Sequence, residues 1–305
     1  MKIVVTGGKG GTGKSTITVG LAYELSQRKK VLLVDTDVDC PNDHLILSIR
    51  RKKISDVFQF IPDFNYDKCI KCGKCAEVCK QHSIIFVKDK YPAFIPDTCN
   101  GCKACLVVCP TGAIREGKKK IGSVYRGNNF GIELISGELR IGESASGEIV
   151  SQTRIIAEES ESKIKTDTTI IDSAAGIGCP VIASITGSDY AIAVTEPSPS
   201  ALNDLKRVLR VLEHFRIPYG IVINKHDISK TFCKKIELFA KKNKIPILKK
   251  IPYSKEVIQS TINMKPVNVY NEEYNKYFSD ILKNLEKQIL KKHTINIKDA
   301  KTKKM

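Results

Sequence analysis

Eight of the eleven cysteines in this 305-residue chain fall in two runs of identical spacing. The first is Cys69-x2-Cys72-x2-Cys75-x3-Cys79 and the second is Cys99-x2-Cys102-x2-Cys105-x3-Cys109. Three thiolates on one tight loop can span a single cubane, and soft sulfur ligands suit iron–sulfur clusters. Zinc sites seldom use four-cysteine runs of this form. A second constellation opens the chain. Residues 8–15, GKGGTGKS, fit G-x-x-x-x-G-K-[ST] and stand between an apolar strand, KIVVT, and a helix. Glycines let successive N–H groups turn inward onto phosphate oxygens, and the helix N-terminus favours negative charge. Gly8, Lys9, Gly10, Gly11, Thr12, Gly13, Lys14, Ser15 and Thr16 are therefore candidate phosphate contacts. Lys14 is expected to bridge the β- and γ-phosphates, and Ser15 to give a hydroxyl to Mg²⁺.

Apolar strands ending in acidic groups supply further chemistry, because an open parallel sheet gathers its ligands at those ends. Asp172 ends TTIID and opens DSAAGIG, where it can hold a magnesium-bound water, with Gly176 placed to sense the γ-phosphate. The strand at 31–35 runs into DTDVD, so Asp37 or Asp39 could orient or deprotonate attacking water. The sequence does not choose between them. Asn224 ends YGIVIN and is placed to hydrogen-bond a base. Lys9 is a second lysine in a loop where Lys14 already serves one nucleotide.

Alternating apolar runs and helical stretches predict an α/β fold with a doubly wound, mostly parallel sheet. Strands are expected at 168–172, 190–195 and 219–224, hairpin strands at 131–141, and helices at 14–28, 147–162 and 200–215. The cysteine stretch interrupts this alternation and is an internal repeat, DKCIKCGKCAEVCKQHSI matching DTCNGCKACLVVCPTGAI. The expected organisation is a discontinuous nucleotide domain (1–60 and 118–291), a small inserted α+β module (61–117), and a basic, disordered tail (292–305). GKKKIG after the module reads as a link. A last helix, 271–291, should pack Phe278, Ile281, Leu282, Leu285 and Ile289 on its own domain. Net charge is +17, from 50 Lys and Arg against 33 Asp and Glu. No aromatics interleave the basic residues, so nucleic acid is not an expected partner. Nor is a membrane, since no apolar run approaches the ~18–20 residues of a span. With no visible signal peptide and clustered rather than paired cysteines, a cytoplasmic location is expected.

KGGTGKS with its early lysine, DTD, DSAAG, INK and IPYS resemble the deviant Walker-A ATPases over about 1–60 and 120–265. That family includes Min division-site ATPases, ParA partition ATPases, Mrp-type iron–sulfur carriers and the nitrogenase iron protein. The resemblance implies ATP with Mg²⁺, ATP hydrolysis, and a face-to-face dimer in which Lys9 reaches the partner's phosphates. A homodimer or a paralogue heterodimer would serve. A cation supplied there stabilises charge growing in the transition state. The cysteine spacing is similar to that of bacterial ferredoxins, in which the fourth cysteine of each run serves the other cluster. This implies two [4Fe–4S] clusters, one on Cys69, Cys72, Cys75 and Cys109, the other on Cys99, Cys102, Cys105 and Cys79. Lys80 departs from the proline common there.

The whole resembles a Min-superfamily ATPase with an inserted ferredoxin domain, coupling nucleotide state to electron transfer toward a redox partner protein. Cluster or metallocofactor assembly toward an acceptor is the alternative, although the late C-x-x-C of Mrp-type carriers is absent. A positioning ATPase with redox-sensing clusters is a third. Cys179 stands seven residues after Asp172, as a cluster ligand does in the nitrogenase iron protein, but no second ligand pairs with it.

Overall fold

The computed structural model describes the backbone of residues 1–302 and the side chains of residues 1–290; the expected disordered tail, 292–305, lies outside the fully described residues. The chain opens with β1 (Lys2–Gly7), α1 (Lys14–Ser26), β2 (Val31–Thr36), the single turn α2 (Asp43–Ile46) and β3 (Lys52–Phe64). Short elements then lie among the cysteine runs: α3 (Lys74–Glu77), β4 (Ile84–Ile85), β5 (Ala93–Phe94) and α4 (Ala104–Val108). β6 (Ile114–Asn129) and β7 (Ile132–Leu139) return to the sheet. Next come α5 (Ser146–Ile164), β8 (Thr168–Ala175), α6 (Cys179–Ile185), β9 (Tyr190–Thr195) and α7 (Pro199–His214). β10 (Tyr219–Ile223), α8 (Lys230–Lys242) and β11 (Ile247–Lys250) complete the alternation. Three helices follow, α9 (Lys255–Ile262), α10 (Val267–Tyr270) and α11 (Tyr274–Thr302).

Among the described residues nine strands form one sheet, in the order β11-β10-β9-β1-β8-β2-β7-β6-β3. All neighbours from β11 to β7 pair in parallel. Successive residues serve opposite faces, as a strand buried on both sides requires. Ile3, Val5, Leu33 and Ile170 pack toward α1 and α11, while Val4, Leu32, Val34 and Ile171 pack toward the layer of Val150, Val181, Leu205 and Ile236. The stripe on α11 packs on its own domain: Phe278, Ile281, Leu282 and Leu285 are buried, with Ile289 partly covered.

The far edge departs from the sequence reading. β6 pairs antiparallel with both β7 and β3, and GKKKIG is not a link but part of β6. Its glycines and lysines are poor strand formers. Here they are tolerated because cross-strand and nearby acids meet them: Lys120 lies 2.8 Å from Asp56, and Lys119 lies 3.0 Å from Glu143. Pro62 is accommodated because β3 is the edge strand. The β6–β7 pairing ends at Gly122 opposite Leu139, whereas β3 and β6 continue together to Phe64 opposite Ile114. At ~3.4 Å per residue, the free two-stranded ribbon, β3 residues 58–64, is about 20 Å long. Since β3 runs in the same sense as β2, the ribbon leaves the sheet at the edge where the parallel strands end.

The ring of Phe278 fills the space above Gly20, where an added Cβ would stand 2.2 Å from it. Phe278→Ala should therefore cost about 3–5 kcal/mol of stability, checked by urea denaturation, without altering far-ultraviolet circular dichroism.

Candidate functional site

The turn from β1 into α1 places Gly13 at φ 89°, immediately before the helix. A side chain there would also collide with Asn224, whose Nδ2 would lie 2.4 Å from the new Cβ. Asn224, expected to meet a base, braces the loop by donating to the Thr12 carbonyl at 2.8 Å. Beside it, Lys225 Nζ donates to the Gly11 carbonyl at 2.8 Å and to Glu196 Oε2 at 3.1 Å. Lys14 is buried, its Nζ 3.5 Å from the Lys9 carbonyl. Lys9 itself reaches Glu196 Oε1 of the same chain at 3.0 Å. Burial opposes the charge on Glu196, yet the two lysines hold its carboxyl below the usual range. Sequence reading missed Glu196 and Lys225; the signal was their position within two residues of strand ends, in TEPS and INK.

Ser15 and Asp172 meet as expected for a magnesium site. Asp172 accepts from Ser15 Oγ at 2.6 Å and from Thr18 Oγ1 at 2.8 Å. Gly176, at φ 106°, follows at the end of β8 and donates its N–H to the Gly7 carbonyl at 3.0 Å. Asp37 and Asp39 are separated: Asp37 is half-buried and feels Lys14, while Asp39 is exposed. Asp43, at the start of α2, is a residue that sequence reading missed. It is fully buried, and neither carboxyl oxygen has a hydrogen-bond partner. One oxygen each from Asp35, Asp43 and Asp172 lie within 4.8 Å of one another. Burial pushes all three carboxyls up, Asp172 to about 6, with mutual repulsion adding to the rise of Asp35 and Asp43. Hard carboxylate oxygens beside a phosphate loop fit Mg²⁺, which prefers few protein ligands plus phosphate and water. Ser15 and Asp172 would hold it, and a bound cation would favour the ionised form of the neighbouring Asp35 and Asp43.

The cysteines gather at the outer end of the ribbon. Cys69, Cys72, Cys75 and Cys109 line one cavity with Phe64 and Ile114. Cys99, Cys102, Cys105 and Cys79 line a second with Phe60 and Ile84. Each set thus takes its fourth member from the other repeat. Burial raises the thiol of Cys105 to about 11 and also raises those of Cys75 and Cys99. The two crossing cysteines behave oppositely. Burial opposes their ionisation, but backbone N–H groups of Ser83, Ile84 and Gln81 at Cys79, and of Thr111, Ala113 and Ile114 at Cys109, bring them below the ordinary value. Such donors stabilise thiolate or cluster sulfur charge. Of the remaining cysteines, Cys233 is buried in α8, whereas Cys40 and Cys179 are exposed.

Backbone contacts join the two regions. The Leu139 N–H donates to the carbonyl of Val38, between Asp37 and Asp39, at 2.9 Å. The next N–H, of Arg140, donates to the carbonyl of Ile121 in β6 at 2.8 Å. The acidic segment after β2 is therefore two hydrogen bonds from the ribbon.

This geometry agrees with a known class of proteins. The CobQ/CobB/MinD/ParA nucleotide binding domain matches residues 3–267. The chain belongs to that family. Members of the MinD/ParA group are P-loop ATPases, so nucleotide binding and ATPase chemistry in general follow from membership. Two uncharacterised proteins of Methanocaldococcus jannaschii are similar to this MinD/ParA chain. One is 33% identical over 92% of this chain and 96% of its own length; the other is 39% identical over 75% and 79%. An uncharacterised ferredoxin of the same organism is 45% identical over 51 residues, 16% of this chain and 66% of the ferredoxin. Among solved structures, the septum site-determining protein MinD complexed with Mg-ADP from Pyrococcus horikoshii shares the fold, with a TM-score of 0.60. It is 19% identical and covers 94% of this chain and 96% of its own. No helix among the described residues is long and apolar enough to cross a membrane.

Asp35, Asp43 and Asp172 bind protons more tightly when folded, so the stability they contribute is present below about 4 and is lost as pH rises through their raised folded values, about 6 for Asp172. Asp43→Asn removes one buried titratable carboxyl and adds an amide donor. Without Mg²⁺ or nucleotide it should raise Tm by about 2–4 °C at pH 7.5, the gain fading as pH falls toward the ordinary carboxyl value of about 4. Thermal scans across pH check this; an equal gain at pH 4 would show another cause.

Proposed function

We propose that this protein is an ATP-hydrolysing iron–sulfur protein in which nucleotide state and dimerisation control electron transfer through two [4Fe–4S] clusters. The carrying observation is the convergence of eight cysteines in two sets at the end of a ribbon that leaves the sheet at the nucleotide edge. Cys69, Cys72, Cys75 and Cys109 would hold one cluster and Cys99, Cys102, Cys105 and Cys79 the other, supplying one-electron chemistry when bound. Residues 61–117 form the ferredoxin-like unit in this reading, and 1–60 with 118–291 the ATPase unit. Electron transfer suits the geometry better than cluster delivery, because each set borrows a ligand from the other repeat and releasing one cluster would loosen both. The ferredoxin relative supports the reading over its matched segment.

Lys14 and the loop N–H groups bind the phosphates, and Ser15 with Asp172 positions Mg²⁺. Asp37 is the better candidate than Asp39 to orient attacking water, being half-buried and close enough to Lys14 to feel its charge. Lys9 leaves Glu196 to reach the nucleotide of a second copy or a paralogue; the two M. jannaschii relatives show that such chains occur in pairs within one organism. Nucleotide-dependent movement of the segment after β2 reaches the ribbon through Val38, Leu139, Arg140 and Ile121. The cytosol, where thiols stay reduced, is the compartment this chemistry fits.

Anaerobically isolated protein should contain about eight irons per chain and show reduced-cubane EPR signals. Cluster potentials and transfer rates should differ between ADP and a non-hydrolysable ATP analogue; identical values for both would overturn the coupling. Lys9→Ala should abolish ATP-driven dimerisation and lower phosphate release by about 10³-fold or more, with unchanged Tm. Light scattering and phosphate assays measure both effects, and normal dimerisation with normal turnover would refute the role given to Lys9.

A further inference from the structure

The two cysteine loops differ in charge, and the difference follows their position. Lys68, Ile70, Lys71 and Lys74 in the first repeat stand where the second has Thr98, Asn100, Gly101 and Ala104. The second loop packs on the ribbon. A Cβ on Gly101 would stand 2.8 Å from Gln59, and Gln59 Nε2 donates to the Cys99 carbonyl at 2.8 Å. The lysine of that loop, Lys103, is paired with Glu116 at 2.9 Å. The first loop lies farther out. Phe60 lines the cavity of the Cys99 set, whereas Phe64, four residues along β3, lines that of the Cys69 set. At ~3.4 Å per residue this places the Cys69 set about 13 Å farther along the ribbon.

On that outer face Lys68, Lys71 and Lys74 are exposed, and no carboxylate among the described residues lies within 4.0 Å of their Nζ atoms. Lys71 Nζ stands 4.6 Å over the Tyr91 ring. Exposed apolar side chains stand in the same loop and in the segment that Lys71 reaches, Ile70 at 63%, Val87 at 61% and Tyr91 at 48%. Cys72 is exposed in the same loop. Unpaired cations around an apolar patch complement a surface of acidic residues with an apolar centre. We propose that this face is the electron port, and that its occupant is a small, acidic electron-carrier protein docking over the cavity of Cys69, Cys72, Cys75 and Cys109. The proposal rests on the electron-transfer reading. In the step itself, the carrier would lose one electron, which a cluster held by Cys69, Cys72, Cys75 and Cys109 would accept, with no bond made or broken.

The test uses anaerobic, cluster-loaded full-length protein and photoreduced acidic flavodoxin as the probe, in stopped-flow at low and high salt. Lys68→Glu/Lys71→Glu/Lys74→Glu should slow flavin oxidation about tenfold or more at low salt and abolish its fall with added salt. The triple Lys→Arg variant should keep the wild-type rate within about twofold, as should a remote reversal of equal charge, Lys241→Glu/Lys242→Glu/Lys244→Glu. Reduction by the methyl viologen radical cation should not fall with the outer triple. A salt-independent wild-type rate, or equal slowing by the remote triple, would overturn the port while leaving cluster redox chemistry intact. Absence of any cubane signal would instead remove the electron-transfer reading, and the port with it.

Discussion

The hydrogen-bonded pairing of β3 with β6 is what ties residues 65–113 to the nucleotide-binding sheet. The pairing runs from Lys52 opposite Arg126 to Phe64 opposite Ile114, with register shifts near Lys53–Ser55 and Val57–Phe58. A free two-stranded ribbon is marginal alone, so its stiffness comes from what flanks it. At the sheet end Gly122 lies against Glu138 and Ile149, and β7 extends the ladder. At the outer end Phe64 stacks on Tyr66 at a centroid distance of 5.9 Å, within a small apolar core that includes Ile84, Ile114 and Phe94. The ribbon therefore joins two packed bodies rather than dangling one from the other.

Electrostatics around the loop follow the opposite logic from the core. The nucleotide site gathers groups of opposite character: three buried carboxyls that burial pushes toward the neutral form on one side, Lys14 and the loop dipoles on the other. Mg²⁺ and triphosphate fit between these groups as complementary charges. Glu196 contributes differently. By pairing with both Lys9 and Lys225 it keeps the cations of the loop partnered when no phosphate competes for them. Replacing that carboxylate by phosphate exchanges one anion for another, so little charge has to be newly desolvated.

Legibility in the sequence tracked how local each feature is. The phosphate loop and both cysteine runs rest on spacings of a few residues, and the structure brings Ser15 to Asp172 and each fourth cysteine to the other repeat. The parallel strands were legible because burial on both faces leaves continuous apolar runs. β3 and β6 were not, since a ribbon standing partly in solvent carries lysines, glycines and a proline that mimic a linker. Asp43, Glu196 and Lys225 escaped for another reason. Each is an unremarkable polar residue beside a strand end or turn, and only the crossing of distant strands aims it at the loop. Asn224 was noticed but its neighbour was not foreseen, because contact with Thr12 depends on β10 ending beside β1 across β9.

Placement of the cysteine segment between the edge strand and its neighbour has a consequence for descent. Its entry and exit points lie side by side, Phe64 opposite Ile114, so the parallel crossovers never register how long the intervening chain is. Lengthening such a loop adds only a slowly growing closure entropy. A lineage could graft fifty residues onto that tip, or exchange them for others, by ordinary insertion and without repacking a single crossover helix.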